Sequence, residues 1–210
     1  RSGVQFSRCF SQETWTKPSM GTLLTGTDSH VHGIEAFGDV IPDSLVLLPE
    51  ILRRNGYATC AISENPHTPP DTNDRRAFSF LETPHLRVEL GEHRLKWNEL
   101  PEVTYQAATD FLEANKDRPF FLYVHTMELH DIVVAPPAEH MVYDPPAAYR
   151  GLWSSQDAIE GMDLFDECIR YADANFQRVI DKLAALGLDK NTLVIFMADH
   201  GEGFGEHEDK

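Results

Sequence analysis

The sequence predicts an α/β fold, a mostly parallel sheet with helices on both faces. Three observations carry this expectation. Helical and strand patterns alternate along the chain, helix then strand three times over. Two strand segments, 120–125 and 192–198, are apolar at nearly every position, as strands covered on both sides must be. The glycines Gly26, Gly56 and Gly187 stand where helical periodicity ends.

The elements follow in order. Residues 16–24 open a helix: Thr16 is a capping hydroxyl, Pro18 lies in the first turn where its missing N–H costs nothing, and Gly26 stops the chain. Residues 44–55 form a second helix with Leu45, Leu48, Ile51 and Leu52 on one face, and residues 57–62 a strand. Residues 63–101 are rich in Pro, His and Asn and read as a long surface excursion with a short hairpin. A helix over 103–115 precedes the strand 120–125. A second irregular stretch, 127–155, carries Pro136-Pro137 and Pro145-Pro146. The long helix over 157–186 repeats Ile159, Met162, Ile169, Ala172, Phe176, Val179, Ile180 and Leu183 at helical spacing. Irregular stretches this long favour loops that build a site.

Composition narrows the function. The 210 residues are 41% hydrophobic and 25% charged, ordinary globular usage. Lys plus Arg number 18 and Asp plus Glu 34, a formal charge of −16. A chain this acidic repels a phosphate backbone or an anionic lipid surface, which argues against nucleic-acid binding. No apolar run approaches the roughly 20 residues of a membrane span. Arg1-Ser2-Gly3 and the Gly- and His-rich end at Lys210 read as cuts. An upstream leader or membrane anchor, the compartment and the oligomeric state are therefore left open. Cys9, Cys60 and Cys168 form no disulfide or zinc pattern and read as buried thiols.

Ligands of open α/β sheets bind beyond the carboxyl ends of the strands. There Asp199-His200 offers a carboxylate and an imidazole to a divalent cation, and a polar turn after a buried strand would carry the same pair. Gly201, Gly203 and Gly205 do not make a dinucleotide fingerprint, because Glu206 stands where it breaks off and two acids repel a pyrophosphate. At the start of the first helix, Thr16 is either an ordinary cap or a nucleophile in the field of a helix N-terminus, where a metal would lower its pKa.

These segments together resemble the sulfatase family of the alkaline phosphatase superfamily. The nucleophile segment stands as Thr16-Lys17-Pro18-Ser19-Met20 through Leu23-Leu24-Thr25-Gly26, with His32-Gly33 after it. The metal segment stands as Asp199-His200-Gly201-Glu202 and Gly205-Glu206-His207. Phe120-Phe121-Leu122 leading to His130-Asp131, and Ile169-Arg170-Tyr171-Ala172-Asp173, are similar to the segments between. The resemblance implies an alkaline-phosphatase-like fold. It makes residues 1–210 part of one catalytic domain whose first strand and C-terminal portion lie outside the sequence. It implies a divalent metal (Ca, Mg, Mn or Zn) held by Asp199, His200 and Thr16, with His130 contacting the substrate oxygens or leaving group of a small anionic ester. It leaves His32 to packing, Asp173 to structure and Lys17 to the solvated surface.

Two departures bear on the chemistry. Family members mature a Cys or Ser to formylglycine, and this sequence has Thr16 there, with Met20 in place of an arginine. A phosphorylated Thr16 is released by in-line attack of water or an alcohol. A sulfated Thr16 cannot collapse to an aldehyde. The expectation is therefore a hydrolase of phosphate, phosphodiester or phosphonate esters. A sulfuric ester hydrolase, a phosphoethanolamine-type transferase and a non-catalytic anion- or metal-binding relative are the alternatives.

Overall fold

A computed structural model describes residues 3–65, 75–82, 100–127, 129 and 156–203. Among these, α1 is Thr16–Thr25, α2 Ser29–His32 and α3 Leu48–Arg54, followed by β1 at Ala58–Ser63. A single 3-10 turn at Arg75–Ala77 leads into β2, Phe80–Glu82. Then come α4 (Leu100–Asn115), β3 (Phe120–His125) and α5 (Gln156–Ala185). The described sheet has the order β2-β1-β3, and both pairings are parallel. In β1–β3 the register runs from Ala58 opposite Phe120 to Ser63 opposite His125.

The side-chain period of two divides the core between the faces of this sheet. Ala58, Cys60 and Ile62 pack with Ala108 and Phe111 of α4, against Phe120, Leu122 and Val124 of β3 and Val179 of α5. Ala61 turns the other way, into a cluster with Met20, Leu24, Ile34, Ile41 and Leu47, joined by Phe121 and Tyr123. All six residues of β1 are buried. Helices thus cover both faces, as the sequence predicts. Phe111 meets Phe120 edge-on at 6.1 Å, a geometry worth about 0.5–1.5 kcal/mol beyond its area burial.

Several expectations are corrected. Residues 192–198 do not join the sheet: among the described residues no backbone ladder engages them, and Leu193, Ile195 and Phe196 are 84%, 73% and 73% exposed. Their apolar run is real, but pairing needs a neighbouring backbone, and among the described residues none pairs with them. The helix expected from residue 44 begins at Leu48, because Glu50 reaches back to accept the N–H of Leu47 at 3.0 Å. That start buries Leu47, Pro49 and Glu50 and leaves Leu48 and Ile51 about half exposed. Of the excursion after residue 62, the described residues contribute β2, paired parallel to β1, and residues 66–74 and 83–99, where the short hairpin is expected, lie outside the described residues. Arg76 anchors the turn before β2, bonding to Asp43 at 2.6 Å and to the carbonyl of Leu45 at 2.9 Å. Cys9 is exposed, while Cys60 and Cys168 are buried.

Among the described residues, no helix is long and apolar enough to cross a membrane.

Candidate active site at the strand ends

Four segments converge at the carboxyl ends of β1 and β3, where an open parallel sheet offers its ligand crevice. The N-terminus of α1 brings Thr16. The residues after β1 bring Glu64 and Asn65. Beyond β3 comes Met127, and beyond the segment 192–198 come Asp199 and His200.

Thr16 is the first helical residue of α1 rather than its cap. Trp15 holds the N-cap position with extended backbone and no side-chain bond, a one-residue shift of the boundary. The hydroxyl is therefore not spent on capping. It lies 3.3 Å from His200 Nε2, and Asn65 Nδ2 donates to it at 3.5 Å. Thr16 is 5% exposed and Asn65 1%. At the other end of α1, Gly26 adopts φ 68° and returns its N–H to the Thr22 carbonyl at 2.7 Å, as the sequence predicts.

The ring of His200 is oriented by its neighbour. Nδ1 lies 2.7 Å from the Gly201 carbonyl, which can only accept, so Nδ1 carries the proton. In the neutral ring Nε2 then presents a lone pair toward Thr16. Asp199 Oδ1 accepts the backbone N–H of His200 at 3.1 Å. Its other oxygen, Oδ2, is buried without a hydrogen-bond partner among the described residues and sits 3.6 Å from His200 Nε2.

Two electron-rich atoms facing each other in a partly buried site repel unless a positive charge lies between them. Donors bound at about 2.0–2.4 Å to one cation stand roughly 3–3.5 Å apart. His200 Nε2 lies 3.3 Å from Thr16 Oγ1 and 3.6 Å from Asp199 Oδ2, within or just beyond that range, and hydroxyl, imidazole and carboxylate are donors that fit a divalent metal. The set is incomplete: among the described residues no group of three or more His, Cys, Asp or Glu is placed to hold an ion.

The remaining candidates divide. His130 lies outside the described residues. Lys17 is not solvated: it is 3% exposed and its amine donates to the carbonyl of Phe37. His32 is packed, as expected. Its Nδ1 accepts the N–H of Ile34 at 3.1 Å, and its Nε2 meets Thr22 Oγ1 at 3.1 Å. Burial lowers the pKa of His32 from its ordinary 6.5, partly opposed by the charges of Glu13 and Asp28. Met20 is buried, with Sδ 3.1 Å from the Tyr123 hydroxyl. That hydroxyl lies 2.6 Å from His125 Nδ1.

Sequence reasoning missed Asn65 and Glu64, absorbed into the excursion that starts at Ser63. Glu64 is buried and accepts the N–H of Met127 at 2.9 Å, tying the ends of β1 and β3 together. The available signal was position: two polar residues directly past an apolar strand and just before Pro66.

A parallel sheet between helices, with hydroxyl, carboxylate and imidazole gathered at its strand ends, defines a layered α/β protein with a candidate site at those ends. The family profile described as Sulfatase matches residues 1–210, and the chain belongs to the sulfatase family. It is 22% identical over 174 residues to N-acetylglucosamine-6-O-sulfatase of Bacteroides thetaiotaomicron, covering 79% of this chain and 29% of that protein. It is 22% identical over 236 residues to an ulvan-active sulfatase of Formosa agariphila, covering 99% of this chain and 45% of that protein. The chain thus spans less than half the length of these relatives. Among solved structures, it superposes on a phosphonate monoester hydrolase of Agrobacterium radiobacter with a TM-score of 0.70 at 17% identity, covering 95% of this chain and 56% of the other. That likeness shows an alkaline-phosphatase-like fold.

Proposed function

We propose that the chain forms part of the catalytic domain of a metal-dependent ester hydrolase that cleaves a sulfuric ester, with Thr16 as nucleophile. The observation that carries the reading is the Thr16 hydroxyl 3.3 Å from His200 Nε2, beside the buried Asp199 Oδ2. The sulfatase names of the curated relatives favour sulfate over the phosphorus esters that Thr16 by itself suggests.

Asp199 Oδ2 and His200 Nε2 would hold the metal with Thr16 Oγ1, and ligands outside the described residues would complete the set. A bound divalent cation lowers the pKa of a coordinated hydroxyl and neutralises the equatorial oxygens of the ester. The chain's own residues supply the rest. The N-terminus of α1 favours the oxyanion that Thr16 becomes. Thr16 Oγ1 bonds to sulfur and gives up its proton, and the bond from sulfur to the alcohol oxygen breaks. The departing oxygen takes the bonding pair and a proton. Water attacking sulfur in line then frees Thr16. His130 is proposed to contact the substrate oxygens or the leaving alcohol.

A second reading, hydrolysis of phosphate, phosphodiester or phosphonate esters, is favoured by the threonine itself, whose phosphoryl ester water opens more easily than its sulfate ester. Assay of the intact protein with Mn, Zn, Ca or Mg on aryl sulfate, phosphate, phosphodiester and phosphonate separates the two. Sulfate turnover is expected. Turnover of phosphorus esters alone selects the second reading, and silence on all four selects a non-catalytic binder. Thr16→Ala is expected to lower kcat/KM by about 1,000-fold or more while metal affinity changes little. Full activity in that variant removes Thr16 from the mechanism.

A further inference from the structure

We infer that Asn65 is a positioning residue for the Thr16 hydroxyl, its side-chain amide donating to Oγ1 so that one lone pair of that oxygen is left aimed for attack. The inference rests on the Thr16 nucleophile proposed above.

A threonine hydroxyl donates one hydrogen bond and accepts two. With the Nδ1 of His200 committed to the Gly201 carbonyl, the Thr16 proton points to Nε2 at 3.3 Å. Toward Asn65 the oxygen can then only accept, so the amide nitrogen faces it, at 3.5 Å. The alkoxide that Thr16 becomes has three lone pairs: one would face the cation held with Asp199 and His200, one accepts from Asn65, and one is left for attack. Catalytic hydrogen bonds are commonly long in the absence of substrate and tighten when it binds.

The local sequence builds Asn65 into place rather than leaving it on a loop. Ser63 Oγ accepts the N–H of Asn65 at 3.1 Å and donates to its carbonyl at 3.3 Å, a clasp directly past the last residue of β1. Pro66 follows in the sequence and disfavours helical backbone at Asn65. The preceding Glu64 is fastened through its N–H to the His125 carbonyl at 3.1 Å and through its carboxylate to Met127. With a relative exposure of 1%, the amide has surrendered its water, which a structure tolerates only where the group is bonded.

The chemistry follows from charge. An N–H donated to oxygen stabilises a developing alkoxide more than a hydroxyl, so Asn65 supports the charge that builds on Thr16 in the transition state. It does so without a charge of its own to compete for an anionic substrate.

The test uses the intact protein and the ester it turns over, with Asn65→Ala, Asn65→Asp and Asn65→Gln beside Thr16→Ala. Asn65→Asp matters because it keeps the shape of Asn65 but replaces the donor with an acceptor, so it decides the matter should Asn65→Ala not fold. Asn65→Ala and Asn65→Asp are expected to lower kcat by about 30- to 1,000-fold with KM within about threefold. Asn65→Gln should recover part of the loss. Orthovanadate serves as a probe independent of turnover. Its affinity, by calorimetry, is expected to fall about tenfold or more in Asn65→Ala and Asn65→Asp. Folded Asn65→Asp with unchanged kcat and vanadate affinity overturns the inference. If that happens while Thr16→Ala is inactive, the nucleophile stands and Asn65 alone is wrong. If Thr16→Ala keeps full activity, both fall.

Discussion

His32 and His200 are both imidazoles near α1, and the difference between them lies in where their lone pairs go. In His32 both ring nitrogens are taken by Ile34 and Thr22, and the ring is fully buried. In His200 one nitrogen is taken by a carbonyl and the other faces a hydroxyl and a carboxylate. The first is engaged in structure, and the second is the one proposed for chemistry. Because burial depresses the His32 pKa, the unfolded chain takes up this proton before the folded one does. The stability His32 supports is complete above about pH 6.5 and declines as the pH falls below that value. Thermal midpoints measured between pH 7.5 and 5 should fall more steeply for the native protein than for His32→Gln. The sequence pattern places His32 in the packing and His200 at the site, but residue type alone does not say which nitrogen is already engaged.

Among elements, α1 is held closely against α2. A Cβ on Gly21 would come within 2.9 Å of His32 Cε1 and of Ile34 Cδ1. The isoleucine methyl can move, but the imidazole is tied at both nitrogens. Gly21→Ala is therefore expected to destabilise by about 1–2 kcal/mol in urea unfolding, after the roughly 1 kcal/mol that alanine gains over glycine in a helix. The contact between α4 and α5 shows the opposite character, a surface tie. Glu113 lies 2.8 Å from Lys116 and 2.6 Å from Lys182, and hydrogen bonds from these amines pull its pKa down to about 2. What it adds is present above the ordinary 4.5 and is lost as the pH falls toward 2. The difference in thermal midpoint between the native protein and Glu113→Gln should be small at pH 7 and vanish across that acid range.

Element boundaries were legible where punctuation was local. Gly26 and Gly187 adopt positive φ at the helix ends the pattern gives, and the strand 120–125 is found as read. The start of α3 was not, because it depends on the Glu50 carboxylate turning back to Leu47.

At the scale of the whole molecule, two contacts among the described residues tie the segment carrying Asp199 and His200 to the helices: Phe196 meets Phe176 of α5 at 5.1 Å with the rings tilted, and Thr16 meets His200. Exposed backbone without ladder bonds opens easily, so amides of 193–198 should exchange among the fastest of the described residues. A cation bound between α1 and residues 199–200 would join the segment to the core. Adding Mn2+ or Ca2+ to the intact protein should slow that exchange and raise the thermal midpoint, and chelation should reverse both. Asp199→Asn should abolish the shift.

The sequence by itself determined the α/β class, the layering of apolar strands under helices, and the residue types that chemistry at Thr16, Asp199 and His200 requires, because periodicity and side-chain chemistry are local properties. Only the tertiary structure decided that residues 184 positions apart bring a hydroxyl and a lone pair to 3.3 Å, that Asn65 belongs beside them, and that 192–198 stands apart from the described sheet. Those are questions of which backbones become neighbours, settled by the packing of both faces of β1 and β3 and by no single stretch of chain.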